Sequence, residues 1–153
     1  MADPDSQSFQ HFELEFPPDV EYLFIPRRVF AALTQLTGLA GLEAERFVMA
    51  IDEACAYAVA GMNRRNPAPH RRTIRLEVQI HPSSIQVVLL DGASDFSGQF
   101  HRKVQIDEPR ERFRSQGLAI QLIKLFMDEA THEFLPGEGN RLTMVKKFDQ
   151  FPQ

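Results

Sequence analysis

Apolar and polar residues alternate with two different periods along this chain, and these periods divide it into strands and helices. Residues 12–16 (FELEF) alternate at every second position, as a half-buried strand does, and the prolines at 17–18 end the run. The spacing then predicts a helix over 20–39 that Asp19 caps and that Pro26 kinks or restarts. Its predicted apolar stripe consists of Val29, Phe30, Leu33 and Leu36.

The strongest helical pattern covers residues 42–62. After a loop predicted at 66–69 (NPAP), residues 73–80 alternate again and residues 85–90 are almost continuously apolar. Because the segment between these two runs is short and contains a proline, we expect them to form a β-hairpin. The apolar positions of the helix recur at three- and four-residue spacing and are Phe47, Ile51, Ala54, Cys55, Ala58, Val59 and Met62.

The last part of the chain begins with a segment, residues 92–116, that has no clear period. A loop of this length inside a compact domain is usually functional or mobile. A helix is predicted over 117–128, followed by strands at 131–135 and 142–148 with a turn at 136–140 between them. The residues expected to face inward from this helix are Leu118, Leu122, Leu125 and Phe126.

This order of elements predicts an α+β fold, a two-layer sandwich of a mostly antiparallel sheet with helices on one face. The 153 residues suit one domain, and 43% hydrophobic with 25% charged residues is an ordinary globular composition. We therefore expect a disordered tail over residues 1–10 and a single domain over 11–150.

Charge and cysteine content narrow the class of function. A net charge of -4 argues against a nucleic-acid partner, and no apolar run reaches the roughly 18–20 residues of a membrane span. Cys55 is the single cysteine, so no internal disulfide can form and a reducing cytoplasm is expected. The five histidines show no zinc-ligand spacing, and the phosphate-loop and nucleophile-elbow motifs are absent.

Three positions could carry chemistry, and each has a structural alternative. Glu53 and Tyr57 share a face of the long helix, where Glu53 is either a solvated residue or a general base facing a pocket. Asp91 follows an apolar strand and precedes Gly92, so it either points into a site or simply forms a turn. Gly117 begins a helix, where a glycine either caps the helix or lets backbone amides approach a phosphate.

In this order and spacing, the features resemble the GHKL ATPases, and more closely the anti-sigma-factor serine kinases of bacterial partner-switching systems. Residues 50–59 resemble that family's E-A-x-x-N-A-V helix, and residues 91–96 resemble its D-x-G-x-x-F turn. Residues 117–129 (GLAIQLIKLFMDE) resemble its G-L-G-L-x-L-I-x-x-L-M-D-E helix, and residues 142–146 resemble its last strand. The resemblance covers about residues 12–148.

The resemblance implies a nucleotide site. Glu53 would be the general base that activates the attacking hydroxyl, and Asp91 would accept a hydrogen bond from the adenine amino group. Gly117 and Leu118 would belong to the lid that surrounds the phosphates, and Thr143 would lie near the adenine. The implied ligands are ATP and Mg²⁺.

Four residues depart from the family pattern, and one of them is Gln116, which stands in the place of one of the paired lid glycines. Tyr57 stands where the family has the asparagine that binds Mg²⁺, and a phenol is a poor ligand for a hard cation. Ala93 and Ala119 stand where the family has glycines, and an added Cβ narrows the approach of the backbone to phosphate. These departures put the binding of both ATP and Mg²⁺ in question.

Two hypotheses follow from the resemblance. The chain is either an ATP-dependent serine kinase or a degenerate relative that keeps the fold and sequesters a regulatory partner with weak or no ATP binding. The implied partners are a sigma factor and an anti-anti-sigma protein of the STAS type, together with a second copy in a homodimer. The ATPase domain of a histidine kinase is less favoured, because no His-bearing helix pair precedes the domain.

Overall fold

The computed structural model describes residues 10–64, 73–92 and 118–149, so the loop predicted at 66–69 and most of the segment 92–116 lie outside the described residues. Short 3-10 turns precede and follow the first helix, at Val20–Tyr22 and Thr34–Leu36. In chain order the helices and strands are β1 (Gln10–Phe16), α1 (Phe24–Leu33), α2 (Gly41–Arg64), β2 (Ile74–His81), β3 (Ser84–Asp91), α3 (Leu118–Phe126), β4 (Glu129–Leu135) and β5 (Gly139–Lys147).

The described strands form one five-stranded sheet in the order β1-β2-β3-β5-β4, and every neighbouring pair is antiparallel. The predicted α+β sandwich and the β2–β3 hairpin are therefore confirmed. Strand β1 begins at Gln10, which pairs with Ile80, so this residue of the predicted tail belongs to the sheet. Strand β4 begins at Glu129, earlier than the sequence pattern indicated, because Glu129 still pairs with Val145.

The core lies between the sheet and the helices and uses alternate strand residues. Side chains at every second position of the central strands are buried, whereas their neighbours on the other face are half-buried. The buried positions of the central strands are Ile74, Leu76, Val78, Ile85, Val87, Leu89, Leu142 and Met144. Helix α2 covers them with the predicted stripe, every member of which is buried: Phe47, Ile51, Ala54, Cys55, Ala58, Val59 and Met62.

The predicted extent of the helix over 20–39 is wrong, because the chain divides there into a 3-10 turn, α1 and a second 3-10 turn. The predicted restart near Pro26 is present, since α1 begins at Phe24. Pro26 is the third residue of α1, where the backbone N–H groups have no acceptor within the helix, so a missing N–H costs nothing. Phe30 and Leu33 are buried as predicted, but Leu36 is 69% exposed in the second 3-10 turn.

The inward face predicted for the last helix is also wrong in part. Ile120, Ile123 and Met127 are buried, whereas Leu125 is 73% exposed. Leu122 and Phe126 are half-buried beside this face. Helix α3 has a polar side marked by Gln121 and Lys124. Leu125 lies on that side, so the helical spacing itself places Ile120 and Ile123 rather than Leu125 against α2.

Candidate functional site

Asp91 lies at the end of the sheet toward which helix α2 runs. The side-chain amide of Asn63, near the end of α2, donates a hydrogen bond of 3.1 Å to the carbonyl of Pro18. Pro18 lies two residues after Phe16, the last residue of β1, and Phe16 pairs with Ile74 at the start of β2. The start of β2 lies beside the end of β3, where Asp91 is the last residue. The C-terminal part of α2 and Asp91 therefore lie at the same end of the sheet.

Helix α3 runs in the opposite direction to α2. The Lys146 ammonium joins the two helices, since it donates to the carbonyl of Phe126 at 2.9 Å and to the Glu43 carboxylate at 2.6 Å. Glu43 is in the first turn of α2, so the last residue of α3 lies beside the first turn of α2. Because α3 packs extensively on α2, it can only extend from there toward the C-terminus of α2. The N-terminus of α3, at Leu118, therefore points toward the end of the sheet that carries Asp91.

Glu53 and Tyr57 lie on the flank of α2 that faces α3. Arg46, Glu53 and Tyr57 are spaced by seven and four residues, which puts them on one side of the helix. The Arg46 guanidinium lies 5.8 Å from the ring centroid of Phe126, so this side faces α3.

The other flank of α2 is attached to α1 by a two-pronged ion pair. The guanidinium of Arg27 donates to both oxygens of Asp52, at 3.0 and 3.1 Å. This pair orients Asp52 away from the α3 side, so of the two adjacent acids only Glu53 lies on the candidate site's side of the helix.

Glu53 has the electrostatic character that a general base needs. Its side chain is half-buried, and this burial raises the pKa of the carboxyl above its ordinary value. The negative charge of Asp52 raises it further. A carboxylate with a raised pKa holds an abstracted proton more tightly, which suits it to accept one from a hydroxyl group.

Asp91 is held by a side-chain relay that the sequence did not indicate. It is 1% exposed and shares the helix-facing side of β3 with Val87 and Leu89. The Asn140 side-chain amide, itself 1% exposed, donates to Asp91 Oδ1 at 3.0 Å. His132 Nε2 lies 2.8 Å from Asn140 Oδ1, and because an amide oxygen can only accept, this bond requires a hydrogen on Nε2. The register that pairs Asp91 with Asn140 creates this contact, and no local motif announces it.

Gly139 allows the backbones to come close beside Asp91. Its φ is +109°, and a Cβ built there would lie 2.0 Å from the Asp91 carbonyl oxygen. No side chain fits in that space, so the turn into β5 requires glycine at this position.

Thr143 is not brought to Asp91. It pairs with Val88, and its neighbours Leu142 and Met144 are the residues buried against the helices. By strand alternation Thr143 faces the opposite side of the sheet from Asp91, and Asn140 occupies the place beside Asp91 instead.

The remaining predicted site residues belong to the segment after Asp91 and to the start of α3. Ala93 and Gly117 lie outside the described residues. Leu118 is the first residue of α3, and Ala119 follows it half-buried in the first helical turn.

Comparison with known proteins decides the family. A family model for the histidine kinase-like ATPase domain matches residues 16–146. The chain belongs to this family. The domain resembles a serine-protein kinase RsbW of Bacillus cereus (strain AH187), with 25% identity over 144 residues that cover 92% of this chain and 86% of that protein. The predicted family resemblance is thereby confirmed.

Membership in an ATPase family implies ATP as the ligand and Mg²⁺ as its usual companion. The described residues suit the adenine, since a buried acid at the sheet end, Asp91, offers an acceptor to an amino group. They do not suit the metal equally well. Within residues 10–64, 73–92 and 118–149, no three His, Cys, Asp or Glu side chains cluster as metal ligands would. Tyr57, at the position expected to bind Mg²⁺, packs its ring against the core.

Among the helices of the described segments, none is long and apolar enough to cross a membrane.

Proposed function

We propose that the chain is a regulator of the anti-sigma-factor kinase type, which binds ATP and phosphorylates or sequesters a partner-switching protein. One observation carries the proposal: Asp91 and the N-terminus of α3 lie at the same end of the sheet, and Glu53 lies on the flank of α2 that faces α3. The likeness to a serine-protein kinase supports the same reading.

The proposed chemistry assigns one task to each of these groups. Asp91 accepts a hydrogen bond from the adenine amino group, which selects adenine among the purines. The N-terminus of α3 presents free backbone N–H groups and the positive end of the helix dipole to the phosphates. The family's lid glycine, Gly117, immediately precedes this terminus in the sequence.

Glu53 completes the transfer step. A serine hydroxyl of the partner gives its proton to the Glu53 carboxylate while its oxygen bonds to the γ-phosphorus of ATP. The bond from that phosphorus to the β,γ-bridging oxygen breaks, and ADP leaves. The raised pKa of Glu53 favours the proton acceptance.

No step is assigned to Mg²⁺, because the described residues do not supply its family ligand. A phenol at position 57 replaces the amide oxygen of the family's asparagine, and Glu53 is the acid beside it. This observation favours a second candidate function. In it the domain keeps the fold but binds nucleotide weakly, and acts by sequestering its partner.

The proposed partners are a sigma factor and a STAS-type anti-anti-sigma protein, and the proposed oligomer is a homodimer. These assignments rest on the family resemblance and on the likeness to RsbW.

Calorimetry with ATP, with and without Mg²⁺, separates the two candidate functions. Micromolar, magnesium-dependent binding supports the kinase and contradicts the degenerate module, whereas the absence of detectable heat does the opposite. The variant Tyr57→Asn is expected to strengthen binding if the phenol is the obstacle. Unchanged affinity in Tyr57→Asn would mean that the obstacle lies elsewhere.

Transfer of labelled γ-phosphate to a serine-bearing STAS-type protein tests the catalytic role. Glu53→Gln is expected to keep ATP binding and abolish transfer. Glu45→Gln is the matched control, because Glu45 is exposed on the same helix but on its other flank. Equal transfer by both variants would remove Glu53 from the mechanism.

A further inference from the structure

The relay of His132, Asn140 and Asp91 connects the edge of the sheet to its buried end. Asp91 ends β3, Asn140 lies opposite it in β5, and His132 belongs to the edge strand β4. Asp91 and Asn140 are both 1% exposed, and His132 is half-buried. Each side chain lies on the helix-facing side of its strand, so all three lie between the sheet and the helices rather than on the outer face of the sheet.

We propose that Asn140 is a positioning residue that fixes the Asp91 carboxylate for adenine recognition, and that His132 sets the orientation of the Asn140 amide. The inference rests on the proposed nucleotide-binding function and deepens it, since it names what determines base selectivity. Asn140 acts through Asp91 and does not itself contact the base.

The orientation of the amide is the central point. An asparagine side chain has a donating end and an accepting end, and the two can exchange by a rotation of the amide. Only the donating Nδ2 can bind the Asp91 carboxylate favourably, because Oδ1 would repel it. A partner that donates to Oδ1 excludes the rotated form, and His132 Nε2 is that donor at 2.8 Å.

The relay fixes one carboxylate rotamer. Asn140 Nδ2 holds Oδ1 of Asp91 at 3.0 Å, which directs the carboxylate relative to the sheet end. A buried hydrogen bond to a charged group stabilises the folded protein more than a solvent-exposed one. Removal of one of its partners is destabilising, because the other group then stays buried without that hydrogen bond. Replacement of Asn140 therefore leaves Asp91 with a wider range of orientations and weakens its bond to an exocyclic amino group.

The test is a thermodynamic cycle in which the Asn140 side chain and the 6-amino group of the ligand are removed separately and together. Affinities of the full chain and of Asn140→Ala are measured for ATP and for purine riboside 5′-triphosphate, which lacks the 6-amino group. Asn140→Ala is expected to weaken ATP binding by roughly 10-fold or more, as loss of a charged hydrogen bond does. The same variant is expected to change the affinity for purine riboside 5′-triphosphate by less than about 2-fold, because that ligand has no 6-amino group to donate to Asp91.

Further variants separate positioning from mere structure. His132→Ala is expected to weaken ATP selectively, and His132→Gln to restore it, since the glutamine amide can donate to Asn140 Oδ1. Arg141→Gln and Thr131→Ala are the matched controls, because both residues are exposed neighbours of the relay on the outer face. Equal losses for ATP and for the analogue in Asn140→Ala would overturn the inference and leave the nucleotide-binding function standing.

A measurement on the unaltered protein does not depend on any variant that could fail to fold. Nitrogen-15 NMR of the ligand-free chain reports which ring nitrogen of His132 carries the hydrogen. The relay requires a hydrogen on Nε2, so a neutral ring protonated only on Nδ1 would overturn it even if ATP binds. If the unaltered protein binds neither nucleotide at millimolar concentration, the proposed function fails, and the inference fails with it.

Discussion

The close approach of β3 and β5 beside Asp91 predicts that Gly139→Ala is far more damaging than the same change two residues earlier. Gly139 and Gly137 both have positive φ, +109° and +82°. A Cβ at Gly139 would lie 2.0 Å from the Asp91 carbonyl oxygen and 2.9 Å from Gly92 Cα. A Cβ at Gly137 would meet nothing within 4 Å. The pair therefore separates backbone strain from steric overlap.

The magnitude follows from these two terms. Positive φ in a non-glycine residue costs roughly 1–3 kcal/mol, and both variants carry this cost. The overlap at Gly139 can only be relieved by moving β3 away from β5, which adds about 1–3 kcal/mol as overpacking does. Gly139→Ala should therefore lower the free energy of unfolding by about 2–6 kcal/mol, and Gly137→Ala by about 1–3 kcal/mol.

Urea unfolding followed by circular dichroism measures both variants under the same conditions. For a chain of this length, each kcal/mol shifts the melting temperature by roughly 2–4 °C, so thermal scans should rank the variants in the same order. Equal destabilisation of Gly139→Ala and Gly137→Ala would refute the close approach. Loss of ATP affinity in Gly139→Ala alone is also expected, because the strands separate at Asp91.

Three further outcomes are expected. Lys146→Met keeps the apolar stem but leaves the Phe126 carbonyl without its donor, so it should lower the free energy of unfolding, measured in urea, by about 1–3 kcal/mol. Lys147 is exposed, and Lys147→Met should change the same free energy by less than about 0.5 kcal/mol. The hydrogen bond from Lys146, and then its charge, lower the pKa of Glu43 below its ordinary 4.5, so the stability from this pair is present above pH 4.5 and is lost as the pH falls further. Unfolding curves of Glu43→Gln should accordingly show a flatter acid limb, and a limb as steep as that of the unaltered protein would contradict this. Burial and the charge of Asp52 raise the pKa of Glu53, so the charged form of Glu53 opposes folding at neutral pH. Glu53→Gln should therefore raise the melting temperature slightly while it abolishes phosphate transfer. A lower melting temperature in this variant would contradict the raised pKa of Glu53.

Much of the architecture was readable from local periodicity. The stripe of α2 from Phe47 to Met62 predicted a helix and its buried face, since its apolar residues recur at three- and four-residue spacing on one side of the helix. Alternation over 73–80 predicted β2 and its helix-facing side for the same reason. In α3, Leu125 lies beside Gln121 and Lys124 on the polar side of the helix, so its exposure and the burial of Ile123 follow from the same periodicity, which the predicted inward face did not take into account.

Some features of the candidate site follow from the local sequence, whereas others depend on how distant strands pair. Helical spacing alone put Glu53 and Tyr57 on one face, because residues four apart in a helix are neighbours whatever the tertiary fold. The surroundings of Asp91 depend instead on the register of β3 against β5, which joins residues 49 positions apart in the chain. That register places Asn140 rather than Thr143 beside Asp91, and it requires glycine at 139. Local pattern thus determined the elements and the residues that share a face, while long-range strand pairing decided which polar groups meet, because a shift of one residue would turn every side chain of β5 to the other side of the sheet.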